Sequence, residues 1–391
     1  MKILFICPQN PFYKGSGAHQ RSYLILKALV AFGADVDVIF FDKRYAGEDQ
    51  QLLSNVSLLA SYDFRMNRVQ NIRYKLRYLS GFGAKIKRSG LSKKVLHRIK
   101  DARYDYVFAR YVDVVQELGL ENLPNLVVDV DDSPCEVYKV RFQNTSNKLL
   151  KFWYWIASKN AARYMRNNES KFLRAFYPQG KQCLAKNSVY LPNIPMVDVS
   201  LENAANLPKN KTLLYVGVLS WMPNYLGLDH FINCIWPRVL DKDNNAKLKI
   251  VGKGLPFYLK DRWTNVPGIQ LLGFVPDLEP EYKKARAVIV PIYQGGGTNI
   301  KVLEALAYGK AVVLSAHACR GFEDVLVRGE NCLIASDDDC FANDVVSIIN
   351  DDVLCAKFQE SGPQIIQKNF SMANFTKIIH ESLWRMNDET R

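Results

Sequence analysis

Acidic residues are almost missing from two stretches of this 391-residue chain. Residues 65–103 hold thirteen Lys and Arg against one acid, Asp101, and residues 139–186 hold eleven against Glu169 alone. Up to residue 195 the chain carries 31 basic and 16 acidic side chains, and beyond it 21 and 23. The formal charge of +13 is therefore no uniformly basic surface; one half is built to meet something negative. Paired cysteines are also lacking. None of the eight cysteines forms a C-x-x-C pair, and several sit in apolar runs, as Cys7 does in KILFIC, so reduced thiols in a cytoplasmic protein are expected. No apolar run reaches the length of a membrane-spanning helix. The longest candidate, near residues 23–41, is broken by Lys27, Asp35 and Asp37. Met1 and Lys2 lead straight into KILFI, so no signal peptide is expected. Short-period repeats and low-complexity tracts are absent too. With 48% hydrophobic and 23% charged residues, the composition excludes a disordered tail protein, a collagen-like fibre and a small disulfide scaffold.

What remains is length for two ordinary domains. ILFIC reads as a buried strand, PQNPFYKGSG as a loop full of breakers, and residues around Leu24–Phe32 as a helix ended by Gly33. VDVIFF follows as a second strand, which makes a β-loop-α-β unit and predicts a parallel, doubly wound sheet. YDYVFA (104–109), NLVVDV (125–130) and SVYLPNIP (188–195) continue the series. A second series runs through TLLYVG, KLKIVG, IQLLGF, AVIVPI and AVVLSA. The expected organisation is α/β: a Rossmann-like domain over 1–195, a linker over 196–211, a second Rossmann-like domain over 212–370 and a C-terminal helix over 371–391 that returns to the first domain. Two such domains facing a cleft would bind ligands beyond the carboxyl ends of their strands.

The strongest local signal is QGGGTNIKVLE, residues 294–304. It follows a strand and opens a helix. Gly295, Gly296 and Gly297 let backbone approach a ligand closely, and free N–H groups at a helix start suit an anion such as a diphosphate. Lys301 and Glu304 are three residues apart and can project toward one ligand, the carboxylate accepting from vicinal hydroxyls. A tight turn with a surface Lys–Glu pair is the plainer alternative. Asp129, Asp131 and Asp132 cluster at the end of NLVVDV, where neighbouring carboxylates are expected to raise one another's proton affinity. Helix capping is the alternative there. Gly15 and Gly17 form a short glycine turn after the first strand, Arg21 lies one turn further on, and His19 is the most site-like of the five histidines.

The stretch GGGTNIKVLEALAYGKAVV (295–313) resembles the nucleotide loop of GT-B-fold glycosyltransferases of the family 4 group. YVGVLSWMPN, LKIVGKG, LLGFVPDL and GENCLIA add to the resemblance. PQNPFYKGSGAHQR, VDVDDSP and LPN match more loosely in the first half. The resemblance implies a fold of two facing Rossmann-like domains and transfer of a sugar from a nucleotide-diphosphate donor, with retention of configuration. It implies no metal and no cofactor beyond the nucleotide sugar. By the same resemblance Glu304 holds the ribose, while Gly295, Gly296, Gly297 and Thr298 contact donor sugar or diphosphate through their amides. Gly217 begins the phosphate motif, with Asn224 at its end. Its two usual cations are replaced here by Val218 and Pro223, so Lys301, then Lys253, are expected to supply the charge. Gly15 and Gly17 would admit the donor from the opposite domain. Arg21 and His19 would face acceptor or phosphate, and Asp131 or Asp132 would orient the acceptor hydroxyl. The acceptor implied is a growing bacterial surface glycan or lipid-linked glycan. A nucleotide-sugar epimerase of the same fold and a non-catalytic glycan-assembly partner remain the alternatives.

The basic segments point to a location. In MNRVQNIRYKLRYL (66–79), Val69, Ile72, Leu76 and Leu79 share a helical stripe flanked by Arg68, Arg73, Lys75 and Arg77. That pattern fits a helix lying on an anionic membrane surface, each basic residue contributing about 1 kcal/mol. KFWYWI (151–156) adds aromatics suited to the lipid interface. No RNA-recognition motif, zinc pattern or helix-turn-helix accompanies the charges, so nucleic acid is not an expected partner. The expected place is the inner face of the plasma membrane.

Overall fold

The computed structural model describes residues 1–15, 17–61, 91–131, 133–197, 199, 207–295 and 297–389. The chain divides into two compact units, Met1–Pro192 with Met372–Arg391, and Asn193–Ser371.

The first unit is built on a seven-stranded sheet: β1 (Lys2–Cys7), β2 (Asp35–Phe40), β3 (Ser57–Ser61), β4 (Tyr106–Arg110), β5 (Leu126–Asp129), β6 (Arg174–Tyr177) and β7 (Ser188–Tyr190). Every pairing is parallel, in the order β3-β2-β1-β4-β5-β6-β7. A parallel sheet needs helical crossovers and is covered on both faces. That is why its central strands are continuous apolar runs: Ile3–Cys7 and Tyr106–Ala109 are buried throughout. The described crossovers include α1 (Gly17–Ala31), α2 (Val112–Leu118), α3 (Pro134–Asn144) and the long α4 (Lys148–Asn168). Asn147 caps α4 by accepting from the amides of Leu149 and Leu150.

The second unit repeats the plan with six strands: β8 (Thr212–Val216), β9 (Lys247–Val251), β10 (Ile269–Gly273), β11 (Ala287–Val290), β12 (Ala311–Ser315) and β13 (Leu333–Ala335), in the order β10-β9-β8-β11-β12-β13. Its helices include α5 (Met222–His230), α6 (Ile300–Ala307), α7 (Asp338–Asn350) and α8 (Asp352–Asn369). From α5 the chain passes through a π turn at Phe231–Ile235 into the helix Trp236–Lys242. Pro237 explains the turn: it has no N–H for a carbonyl one turn back, and its ring crowds that carbonyl. The last helix, α9 (Met372–Glu389), belongs to the first unit. It lies against α1, with the His380 ring 5.1 Å from Phe32 and the Tyr106 hydroxyl donating to the Leu383 carbonyl at 2.6 Å.

Each sheet changes direction once, between β1 and β4 in the first unit and between β8 and β11 in the second. Ligands of such sheets bind at that switch, beyond the strand ends. The sequence reading places β1, β2, β4, β5 and β7–β12 correctly. It does not mark β3, β6 or β13, which are short and lie at or near a sheet edge. The basic stripe with Arg68, Arg73, Lys75 and Arg77 lies outside the described residues. Among the described residues no helix is long and apolar enough to cross a membrane.

The switch in the second unit is drawn tight by a glycine. A Cβ on Gly227 of α5 would stand 2.0 Å from the Pro291 carbonyl oxygen, in the loop after β11. Alanine normally improves a helix interior by roughly 0.5–1 kcal/mol. Here backbone stands on backbone, and overpacking at about 1–3 kcal/mol outweighs that gain. Gly227→Ala should therefore lower the thermal midpoint; a raised midpoint would show that the two segments are free to part.

Candidate functional site

In the second unit, the loop after β8 and the loop from β11 to α6 flank the switch point. Gly217 follows β8, and Lys301 lies in the first turn of α6. The Lys301 ammonium donates to the Tyr215 hydroxyl at 2.9 Å and to Asn224 Oδ1 at 2.7 Å. It also stands 4.7 Å from the centre of the Tyr215 ring. Asn224 is itself fixed, donating to the Val218 carbonyl at 2.8 Å. Both oxygens that meet Lys301 are neutral, so its charge is oriented without being compensated. Burial pulls its pKa down to about 7, and the nearby Glu304 charge opposes that shift only in part.

Glu304 lies one turn further along α6. Among the described residues its carboxylate has neither hydrogen bond nor ion pair. Burial raises its pKa, with Lys301 acting the other way. An isolated carboxylate in such a place is costly unless a partner arrives. Gly217 makes the approach possible: a Cβ there would sit 3.1 Å from Lys301 Nζ.

Gly252, after β9, closes on Gly217 from the other side. Its Cβ would lie 1.8 Å from the Gly217 carbonyl oxygen. Beyond it opens a cavity of about 450 Å³ whose lining includes Leu219, Ile250, Lys253, Lys260, Leu272 and Phe274. Lys253 stands 5.9 Å over the Phe274 ring. Apolar walls with two lysines at hand suit a flat ring carrying polar edges. Gly217 and Gly252 thus stand between Lys301 and this cavity.

The glycine loop is held at both ends. Gly295 has φ 136°, a conformation that favours glycine. Its carbonyl accepts from Arg320 Nη2 at 2.7 Å. Thr298 Oγ1 accepts from Asn193 Nδ2 at 2.5 Å, and Asn299 Nδ2 donates to the Ala318 carbonyl at 3.3 Å. Gly297 lies between these anchors; Gly296 lies outside the described residues. The structure therefore gathers Gly217, Asn224, Lys301 and Glu304, with Lys253 across Gly252. Sequence reasoning missed Tyr215, Arg320 and Asn193. Tyr215 reads in the sequence as one more apolar strand residue, and nothing there marks its hydroxyl as the one that meets Lys301.

The first unit places its residues differently. Arg21 is buried at 2% exposure, and its Nε and Nη2 grip both oxygens of Asp129 at 3.0 and 2.6 Å. It also reaches the carbonyls of Leu191 and Pro192. Arg21 therefore does not face an acceptor or phosphate; a carboxylate of its own unit takes its charge. Arg110, the last residue of β4, bridges Asp129 at 3.3 Å and Asp131 at 2.5 Å, and donates to Ser22 Oγ at 2.7 Å. The expectation that the aspartates raise one another's proton affinity is corrected here. Burial does press the Asp131 pKa upward, but Arg110 and Arg21 overcome it and hold the carboxyl below its usual value. Asp131 is thus a fixed carboxylate. Its φ of 52° and the φ of 67° at Tyr111 are left-handed conformations costing about 1–3 kcal/mol each. Both residues stand beside the charges of Arg21, Arg110 and Asp129 at the sheet switch. Asp132 lies outside the described residues.

His19 sits in an aromatic cluster. Its Nε2 is 3.0 Å from Asp42 Oδ2, and its ring stands edge-on to Tyr13 and Tyr45, which stack at 4.3 Å. Gly15 packs on that cluster too; a Cβ would meet the Tyr13 ring at 2.2 Å. Gly17 is the first residue of α1, next to Ser16, which is outside the described residues.

Residues 210–351 match the model of the family described as glycosyl transferases group 1. A Klebsiella pneumoniae protein, named as an uncharacterized 44.6 kDa protein in the cps region, is 25% identical over 400 residues, covering 97% of this chain and all of that protein. The crystal structure of TarM from S. aureus superposes with a TM-score of 0.71 at 11% identity, over 98% of this chain and 99% of that one. HepE from Anabaena, solved in complex with UDP-glucose, gives 0.65 at 15% identity over 98% and 99%. At these identities the solved structures speak for the fold, and the family match speaks for residues 210–351. Residues 210–351, within the second unit, thus match glycosyl transferases group 1, and the chain as a whole has the two-domain GT-B fold.

Proposed function

We propose that the chain transfers a sugar from a nucleotide-diphosphate donor to a glycan or lipid-linked acceptor, in the assembly of a bacterial surface polysaccharide. The observation that carries the donor reading is the pair Lys301 and Glu304. Among the described residues, one is an ammonium held only by neutral oxygens and the other a carboxylate with no hydrogen-bond partner, a turn apart at the sheet switch. A nucleotide diphosphate answers both: its phosphates meet Lys301 across Gly217, and its ribose hydroxyls donate to Glu304. The base then falls in the cavity beyond Gly252. Stabilisation of the leaving diphosphate would come from Lys301 and the loop amides. HepE was solved with UDP-glucose and TarM with UDP, which makes uridine the first base to try. The cps-region relative favours capsule among surface glycans. Retention of configuration is part of the proposal. So are nucleotide-sugar binding as the protein's only cofactor-like requirement and independence from metal in catalysis.

The peripheral-membrane reading rests on α4. Leu149, Phe152 and Trp155 are 82%, 59% and 48% exposed, with the Phe152 and Trp155 rings stacked at 6.2 Å. Lys148, Lys151 and Lys159 lie exposed on the same helix. An apolar patch flanked by cations is complementary to an anionic bilayer.

Three outcomes are expected. Glu304→Ala should weaken UDP-glucose binding about 10- to 100-fold, as loss of hydrogen bonds to a charged group does. Because that carboxylate is unpaired, the thermal midpoint of the free protein should hold or rise; calorimetry on both counts tests the assignment, and undiminished affinity removes it. Affinity should also fall as pH climbs through about 7, since only the charged form of Lys301 attracts phosphate. The limiting slope is about tenfold per pH unit. Titrations between pH 6 and 8.5 should show this for the natural protein and a flat, weak profile for Lys301→Met. Finally, Phe152→Ala combined with Trp155→Ala should reduce sedimentation with phosphatidylglycerol vesicles, while neutral phosphatidylcholine vesicles bind poorly throughout. Equal binding by variant and natural protein would rule out α4 as the contact.

A further inference from the structure

A second cluster of reactive side chains lies apart from the Lys301–Glu304 pair. His230 ends α5, Cys234 lies in the π turn that follows, and Asp338 opens α7. One ligand-type atom from each comes together with all three within 4.8 Å of one another. His230 Nε2 is already 2.8 Å from Asp338 Oδ1. The Cys234 thiol is partly buried and has no hydrogen-bond partner among the described residues.

We propose that His230, Cys234 and Asp338 form a binding site for a borderline-soft divalent cation, zinc by its chemistry. Imidazole, thiolate and carboxylate are three of zinc's preferred donors, and thiolate with imidazole disfavours magnesium and calcium. Tetrahedral zinc with these bond lengths places its ligand atoms roughly 3.3–3.8 Å apart. The imidazole and carboxylate must part by roughly half an ångström, and the thiol must close by about 1 Å at most, within reach of side-chain rotation. His230 and Asp338 keep 42% and 29% of their side chains exposed, which leaves an entry path and room for water as the fourth ligand.

The surroundings favour a cation. Neighbouring basic groups are committed elsewhere: Arg238 pairs with Asp339 at 2.7 Å, and Arg262 with Asp229. Tyr293 places its ring 5.1 Å from His230, edge to face. The π turn is an irregularity of the kind that often marks a functional position in a helix. His230 and Cys234, four residues apart, lie on one helical face and meet the same residue of α7. A bound ion would tie α5 to α7 and hold His230 against Tyr293, in the loop that leads to Gly295.

Protein without a polyhistidine tag, stripped with a chelator, should take up one equivalent of Zn²⁺ in calorimetry and gain thermal stability in proportion to saturation. Mg²⁺ and Ca²⁺ should not compete. Cys234→Ser, His230→Ala and Asp338→Asn should each weaken Zn²⁺ binding more than roughly tenfold. Co²⁺ should give a thiolate charge-transfer absorption that Cys234→Ser abolishes. Cys234→Ser changes one atom, so its failure to bind cannot be put down to misfolding when its midpoint without metal matches the natural protein. Absence of a one-equivalent site, or a cobalt–thiolate band that survives Cys234→Ser, overturns the proposal. UDP-glucose binding without Zn²⁺ would leave it standing, because the two sites are separate.

Discussion

Burial of one lysine without an anion organises the second unit. Lys301 lies half-buried in the first turn of α6, and among the described residues only the Tyr215 hydroxyl and the Asn224 amide oxygen meet it. Holding a charge there costs free energy, and the depressed pKa expresses that cost. Everything close by serves to keep the ammonium in place. Tyr215 offers its hydroxyl from the strand, and Asn224 is fixed by the Val218 carbonyl. Gly217 leaves space that any side chain would fill. Glu304 supplies the opposite charge without pairing to it. An anion that also brings hydroxyls would complement both groups, which is the basis of the donor reading proposed above.

The first unit treats charge in the opposite way. Arg21, Arg110, Asp129 and Asp131 meet at the sheet switch and largely neutralise one another. Breaking such a network by removing one member leaves an uncompensated buried charge, which is why it is rigid. Tyr111 and Asp131, beside this network, both adopt positive φ, a conformation that costs free energy. An ionised, immobile carboxylate suits the orientation of a hydroxyl better than it suits donation of a proton.

Much of the fold was legible because parallel strands covered on both faces must be continuous apolar runs. KILFIC, NLVVDV, TLLYVG and AVIVPI announce themselves for that reason. RAFY and LIA were not read, since a strand of three or four residues near an edge carries too little periodicity. In the site, Lys301 and Glu304 were legible because spacing along one helix is a local property. Arg21 was misplaced because its partner, Asp129, lies 108 residues away. Separation along the chain likewise explains why Tyr215, 86 residues from Lys301, went unnoticed and why His230, Cys234 and Asp338 carried no signal: His230 and Asp338 are 108 residues apart.

The sequence by itself determined two alternating β/α series, the glycine turn before α6, and a basic first half joined to a near-neutral second. These follow from short-range patterns of apolarity, backbone freedom and charge. Only the tertiary structure decided which charges are cancelled and which are left waiting. Arg21 and Lys301 look alike in the sequence, as basic residues one turn into a helix after a glycine-rich loop. One is neutralised by a carboxylate brought in from another strand, and the other is met by neutral oxygens. Desolvation and pairing depend on what the fold brings within a few ångströms, and no local pattern encodes that.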